Sequence, residues 1–454
     1  MPNVPKTGYE MNTNLAPQAL NAIRNSASQM YKNYVPYATP DAESLRAIGA
    51  VIMDYPGIQN EFISTLLNRI ARVIVTSRSY ENPLRAFKKG IMEMGETVEE
   101  ICAGLAKPFQ YNPENAEETV FKREIPDVKT AFHIVNYKKF YKTTIQMDSL
   151  RAAFLSWDAM NRFIQDVTAR MYTAMNYDEF VCMKYMLAKA ILAGEIKPID
   201  IGAIGNDPKS NVAKIKAASN KLTFMSDEYN RAGVYNNSPK NEQIILVSAD
   251  FDASMDVNVL AAAYNLSYAE FIGQRVLIDS FGALDTARLA ELFAGDPDYT
   301  EIGADDLAKL DAIPAVTVDK NYFQVYDNLL KFTEVYNPQG LYWNWMLHTW
   351  KIMSASPFAN AVAFVTGAPT VTSVTVTPAT LSLAKGAAAQ LGVSVVTTNF
   401  APQSVTWSSN NDKVKVDNRG YVTVDATATA GKVNITATST FDKTKTGKCE
   451  ITVS

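Results

Sequence analysis

Beyond Gly367-Ala368-Pro369 the apolar positions alternate with polar ones, whereas before it they mostly recur every three or four residues. In the tail, Val374 and Val376 alternate with Thr. Leu391, Val393 and Val395 repeat the pattern, as do Val405 with Trp407, Val414 with Val416, Val433 with Ile435, and Cys449 with Ile451 and Val453. Thr377-Pro378, Asn410-Asn411 and Asn418-Arg419-Gly420 punctuate these runs with turn residues. About seven short strands so spaced predict an antiparallel, immunoglobulin-like sandwich over residues 371–454. Trp407 is expected to be its core aromatic. Parity points Cys449 inward beside Ile451, as a buried and inert thiol.

The first 367 residues follow a different rule. Asp148 or Ser149 is placed to cap a helix in which Leu150, Phe154, Trp157, Met160, Ile164, Val167 and Met171 form one long apolar stripe, with Trp157 in its core face. A second helical run, Tyr177 to Leu192, stops at Gly194. Residues 75–145 are polar and charged, contain strand-like stretches, and are interrupted by Gly90, Gly95, Pro108, Pro113 and Pro126. Such an excursion predicts an extended hairpin that needs a neighbour to cover it. Residues 196–240 read as an irregular insertion. A strand at Ile244 to Val247, a short helix from Val257 to Asn265, a strand from Arg275 to Ile278 and a Tyr/Trp-dense stretch from Tyr322 to Trp350 follow. This region is α+β, and the whole is an α+β unit followed by an all-β one.

Composition narrows the function classes. With 47% hydrophobic and 20% charged residues, the 454-residue chain has ordinary globular usage and the length of two to four domains. A net charge of -4 gives no general attraction to nucleic acid or anionic lipid. Three Cys without a CxxC pair, and only His133 and His348, do not fit a disulfide framework, a Cys-rich zinc site or multi-histidine metal chemistry. No stretch approaches the roughly 20 apolar residues of a membrane span, and no secretory signal is read at the N-terminus.

No GxSxG, HExxH, Walker A or GxGxxG motif occurs. Asp250, Asp252 and Asp256 begin a calcium-loop spacing, but Met255 and Ala261 stand where glycine and glutamate are required. His348 reads as a packed, hydrogen-bonded histidine. The adjacent pairs Glu99-Glu100, Glu117-Glu118 and Asp305-Asp306 read as solvated faces. Arg85, Lys88 and Lys89 form a short basic cluster suited to a solvated face or to salt bridges between subunits, and too short a run for nucleic-acid binding. No catalytic residue, cofactor or metal is expected.

Longer stretches carry a family resemblance. Asn21-Ala22-Ile23-Arg24-Asn25-Ser26, Tyr34-Val35-Pro36 and Asn82-Pro83-Leu84-Arg85-Ala86-Phe87-Lys88-Lys89-Gly90 resemble the major capsid proteins of small podophages of the phi-twenty-nine type. So do Arg123 to His133, Thr144 to Leu150, and above all Val318 to Gly367, with Val325-Tyr326-Asp327-Asn328-Leu329 and Gly340-Leu341-Tyr342-Trp343-Asn344. The similarity is collinear over nearly the whole chain, while residues 196–240 and 283–316 match poorly. The tail resembles a group-2 bacterial immunoglobulin-like (BIG2) domain.

The resemblance implies the Johnson (Hong Kong-type) fold of tailed-phage shells. Residues 1–367 would then hold an N-terminal arm (about 1–60), an E-loop within 75–145, a peripheral domain with its spine helix from about 149, an axial domain (about 195–316) and a return through the core (318–367). It further implies a structural subunit, not an enzyme, that assembles with itself into hexamers and pentamers on a scaffolding protein around a portal. The resulting virion shell, built in the bacterial cytoplasm, encloses double-stranded DNA without specific contact. The BIG2 domain would decorate the outside, with contact to the host surface as a second role. The alternative reading is a bacterial surface adhesin or carbohydrate-binding protein carrying an Ig-like module.

Overall fold

The computed structural model describes residues 15–73, 80–92, 97–109, 123–155, 157–204, 208–255 and 274–454. Its first helices are α1 (Leu15–Ser26), α2 (Gln29–Tyr34), α3 (Ala42–Asp54) and α4 (Pro56–Val73). Side-chain oxygens start two of them: Ser28 accepts the Tyr31 N–H at 3.2 Å, and Asp41 accepts that of Ser44 at 2.6 Å. Leu45, Ile48 and Ile52 of α3 and Phe62 and Leu66 of α4 are fully buried and share one apolar cluster.

The long apolar stripe is broken. Helix α5 (Met147–Ala153) starts after Gln146 and ends at Phe154, and α6 (Trp157–Leu192) then runs for 36 residues. The expected stripe and the expected second helix are thus redivided. The break has a packing reason. Phe154 turns into the α3–α4 cluster, 5.5 Å from the Phe62 ring, and fills the space a side chain on Gly49 would need. Trp157 opens α6, but the burial of its side chain lies outside the described residues, as does the expected helix at 257–265.

Eleven strands precede residue 370 among the described residues: β1 (Lys88–Ile91), β2 (Val98–Ala103), β3 (Val128–His133), β4 (Tyr137–Gln146), β5 (Lys197–Asp200), β6 (Gln243–Ser248), β7 (Gln274–Ile278), β8 (Ala315–Asp319), β9 (Phe323–Asn337), β10 (Tyr342–Ala355) and β11 (Ala361–Val365). One sheet has the order β1-β9-β10-β4 and another β5-β11-β8-β6-β7, while among the described residues β2 and β3 form a two-stranded sheet of their own. The helices α7 (Pro208–Lys221), α8 (Ala249–Met255), α9 (Thr286–Leu292) and α10 (Ala304–Asp311) complete this part. The stretch 196–240, expected to be irregular, therefore contains β5 and α7.

Burial explains the sequence of the five-stranded sheet. Ile244 and Leu246 of β6 enter the cluster built on the C-terminal half of α6, while Ile245 and Val247 enter the cluster on α7. A strand covered on both faces must be apolar throughout, and β6 is buried at every position. In β10, by contrast, Trp343, Trp345 and Leu347 face the N-terminal helices and alternate with half-buried residues. Trp343 Nε1 donates to Asn60 Oδ1 at 2.7 Å, tying that strand to α4.

The tail has nine strands: β12 (Thr370–Thr377), β13 (Thr380–Leu383), β14 (Ala388–Gln390), β15 (Gly392–Thr398), β16 (Val405–Ser409), β17 (Val414–Val416), β18 (Tyr421–Val424), β19 (Gly431–Ser439) and β20 (Thr446–Val453). β13, β14 and β18 lie outside the alternating runs named above, so the count is too low, although β18 alternates as well, with Val422 and Val424 buried. Cys449 is fully buried between Ile435 and Ile451, and desolvation pushes its thiol up. One inward expectation needs correction: Val393 is exposed on β15. Trp407 is partly buried and packs against the core cluster. The centre is filled by aliphatic side chains, and the Trp407 ring lies over Gly420 at the rim, where a Cβ would stand 2.8 Å from it.

Candidate functional site

The hairpin β2–β3 sits within the polar excursion, as expected. Its register pairs Val98 with His133 and Ala103 with Val128, so Ile101, Val128 and Phe132 share one face. That face is not polar. Phe132 is 66% and Ile101 61% exposed, and Ile134, Leu105, Phe109 and Ile125 beside them are exposed as well. Isolated two-stranded hairpins are marginal in water. An exposed apolar face on such a hairpin is an uncovered contact surface.

The opposite face is held by its own chain. His133 is buried, with Nδ1 2.7 Å from Ser354 Oγ on β10 and Nε2 3.2 Å from Glu100 Oε2 across the hairpin. Ser356 Oγ donates to the other Glu100 oxygen at 2.7 Å. Asn136 Nδ2 donates to the Met353 carbonyl at 2.7 Å, while Asn136 Oδ1 accepts the Met353 N–H at 2.9 Å. Glu100 is therefore not part of a solvated face. Ser354, His133 and Glu100 stand in the order of a nucleophile, base and orienting acid, but the buried ring clamps the hairpin root to β10. His133→Ala is expected to destabilise the subunit by about 1–3 kcal/mol, because Glu100 and Ser354 lose a buried partner. Backbone amides of residues 98–103 and 128–133 should then exchange faster, measured by hydrogen exchange with mass spectrometry.

The basic cluster divides by role. Asn82 Oδ1 accepts the Leu84 N–H and starts a 3-10 turn at Pro83–Phe87 that buries Leu84 and Phe87 and turns Arg85 outward. Among the described residues Arg85 pairs with Glu81, at 3.8 Å, with both side chains exposed. Lys89 Nζ donates to the Lys320 carbonyl at 3.2 Å and to Asn321 Oδ1, and burial pulls its ammonium below the ordinary value.

Lys88 has partners in its own chain: Asp327 at 2.7 Å and Glu179 at 3.2 Å. Burial pulls its ammonium down, but those two carboxylates outweigh this and hold it above its ordinary value.

Glu179 is the hub. It is 3% exposed in the middle of α6 and also bonds Lys351 of β10, itself 1% exposed, and Asn82 Nδ2 at 3.1 Å. A register shift between Trp350 and Lys351 sets Lys351 opposite Asp327. Beside it, the fully buried Asp178 takes Arg288 of α9 through Nε at 2.8 Å and Nη2 at 2.9 Å, and the Tyr141 hydroxyl at 2.7 Å. Sequence reasoning missed this hub. The adjacent Asp178-Glu179 inside an apolar helical run was its one visible signal.

His348 is half-buried, with Nε2 2.8 Å from Thr333 Oγ1, in keeping with a hydrogen-bonded histidine. Burial pushes the Cys182 thiol up to about 12, which keeps it protonated at neutral pH. Among the described residues no three His, Cys, Asp or Glu side chains are grouped to hold a metal ion, and no helix is long and apolar enough to cross a membrane.

Comparison with known proteins places these features. Residues 20–365 match the model of the Phi29-like phage major capsid protein family, and residues 370–451 that of the bacterial Ig-like domain, group 2. The chain is 37% identical to the major capsid protein of Bacillus phage B103 over 423 residues, which cover 90% of this chain and 87% of the relative. It is 34% identical to that of Bacillus phage GA-1, covering 86% and 79%, and 25% identical to that of Streptococcus phage Cp-1, covering 75% and 92%. Among solved structures, the capsid of Staphylococcus phage Andhra aligns with a TM-score of 0.49 at 16% identity, over 64% of this chain and 86% of that one.

Proposed function

From the premise that the chain belongs to the Phi29-like phage major capsid protein family, we propose that it assembles with itself into hexamers and pentamers of a closed shell. The single observation that carries the reading is the β2–β3 hairpin. One face is bolted to its own subunit by His133, Glu100 and Asn136, and the other offers Ile101, Phe132 and Ile134 to solvent. A neighbouring subunit beneath that face removes the apolar surface from water. This is the role expected of an E-loop, and it fits the Johnson fold that the family resemblance implies.

Assembly in the bacterial cytoplasm on a scaffolding protein, around a portal, completes the proposal, with double-stranded DNA filling the interior by non-specific proximity. A chain of net charge -4 suits a wall that does not grip the phosphate backbone. The Ig-like unit decorates the outer surface. From residue 368 onward there are eight basic and five acidic side chains, a small excess that suits weak contact with anionic cell-wall polymers as a secondary role. The adhesin alternative draws on the tail alone, whereas the capsid family accounts for residues 20–365.

Co-expression with a scaffolding protein, followed by electron microscopy, tests the reading. Closed shells bearing regular protrusions are expected, and a chain ending at residue 368 should form shells that lack them. Only unassembled subunits from the full chain under these conditions would overturn the capsid assignment. Smooth shells from the full chain would overturn the decoration.

A further inference from the structure

We propose that the Ig-like unit is latched onto the C-terminal end of α6 rather than tethered to it, with Phe400 as the latch. Only residues 366–369 separate β11 from β12. The loop between β15 and β16 folds back onto the first unit. Phe400 packs against the cluster built on the C-terminal half of α6, and with Leu192, Ile313 and Val365 it walls a cleft of about 510 Å³ between the two units.

The end of α6 is shaped to receive that loop. Glu195 N–H reaches back to the Ala190 carbonyl at 2.9 Å and Gly194 N–H to that of Ile191 at 3.0 Å, a closure that needs the left-handed Gly194, φ +67°. This leaves the Leu192 carbonyl without a helical partner, and Gln403 Nε2 of the Ig-like unit donates to it at 3.2 Å. A Cβ on Gly194 would lie 2.8 Å from Pro402 Cα and 2.9 Å from the Ala401 oxygen, so the glycine serves the cap and the docking together. On the linker side, Asn399 Nδ2 donates to the Ala368 carbonyl at 3.0 Å and occupies the space above Gly367.

The loop backbone is strained in a way that the contact explains. Asn399 (φ +48°) and Phe400 (φ +60°) are consecutive left-handed residues. Asparagine tolerates that conformation, but a bulky side chain visits it at a cost. The packing of Phe400 against the other unit's apolar cluster offsets that strain. The Ig-like unit thereby contributes to capping the long helix and is held in a fixed orientation to it. The proposal concerns contacts within one chain and stands apart from whether shells form.

Limited proteolysis of the full-length subunit with elastase, with cuts mapped by mass spectrometry, tests the latch. Phe400→Gly suits the backbone conformation while removing the side chain, so each unit should stay folded. Wild type should resist cleavage at 366–369, and Phe400→Gly should be cut there at least about tenfold faster, since cleavage follows the population of the opened form. Gln403→Ala, at an exposed position, should show a smaller acceleration in the same place. Equal cleavage rates in wild type and Phe400→Gly would overturn the latch. Should Phe400→Gly not give soluble protein, Gln403→Ala decides in the same way.

Discussion

Replacing Glu179 with alanine is expected to destabilise the subunit by about 3–5 kcal/mol, because Lys351 and the largely buried Lys88 are left to share Asp327, one carboxylate for two ammoniums. That is a large share of the stability of an ordinary domain, and insoluble subunit is the expected phenotype. Denaturant unfolding of soluble material, or recovery in the soluble fraction, reads the effect. The double variant Glu179→Gln, Lys351→Met removes the buried ion pair, and should recover much of the loss. An alanine variant as stable as wild type would show that the hub carries no weight.

The hub also sets an acid limit. Burial pushes the Glu179 carboxyl up, but Lys351 and Lys88 outweigh it and hold it below its ordinary value. A carboxyl depressed in the folded state contributes its stability in full above the unfolded value of about 4.3, and loses it as pH falls through the folded value. Unfolding monitored from pH 7 downward should show wild type losing stability below about pH 4.5. The Glu179→Gln, Lys351→Met variant should lose less over the same window. The same geometry alters how the basic cluster must be probed. Lys88→Glu places a third carboxylate beside Glu179 and Asp327 and reports on folding, while Arg85→Glu is the variant that reports on an outward contact.

The second large effect is on assembly. Ile101→Asp combined with Phe132→Asp should leave a soluble subunit with an unchanged melting temperature, since both side chains are exposed. Loss of two apolar anchors at about 2 kcal/mol each would lower shell yield by well over tenfold. Sedimentation of scaffold-co-expressed lysates measures it. Shells at wild-type yield would remove the hairpin from the contact between subunits.

How much of this was legible in the sequence follows from the reach of each interaction. Period-two alternation announced the β-rich tail, and the buried run from Ile244 to Val247 its strand, because both are local records of which face is covered. Gly194 announced the end of α6 through its own backbone freedom. The resemblance to a capsid family was likewise written in contiguous stretches. The apolar run around Asp178-Glu179 hints at burial, but no local pattern names the partner of Glu179, since Lys351 lies 172 residues away and faces it only after the register shift in β10. His133 meets Ser354 across 221 residues for the same reason. That Trp407 packs against the edge of an aliphatic core instead of filling its centre was likewise set by tertiary packing. The apolar face of the β2–β3 hairpin hid within a polar stretch, because strand pairing alone gathers Ile101, Val128 and Phe132 on one side. The sequence by itself determined the period, ends and polarity of the elements. Tertiary structure decided which charges are buried, which apolar residues stay uncovered and where the tail rests, because each depends on what long-range packing brings to the other side of a face.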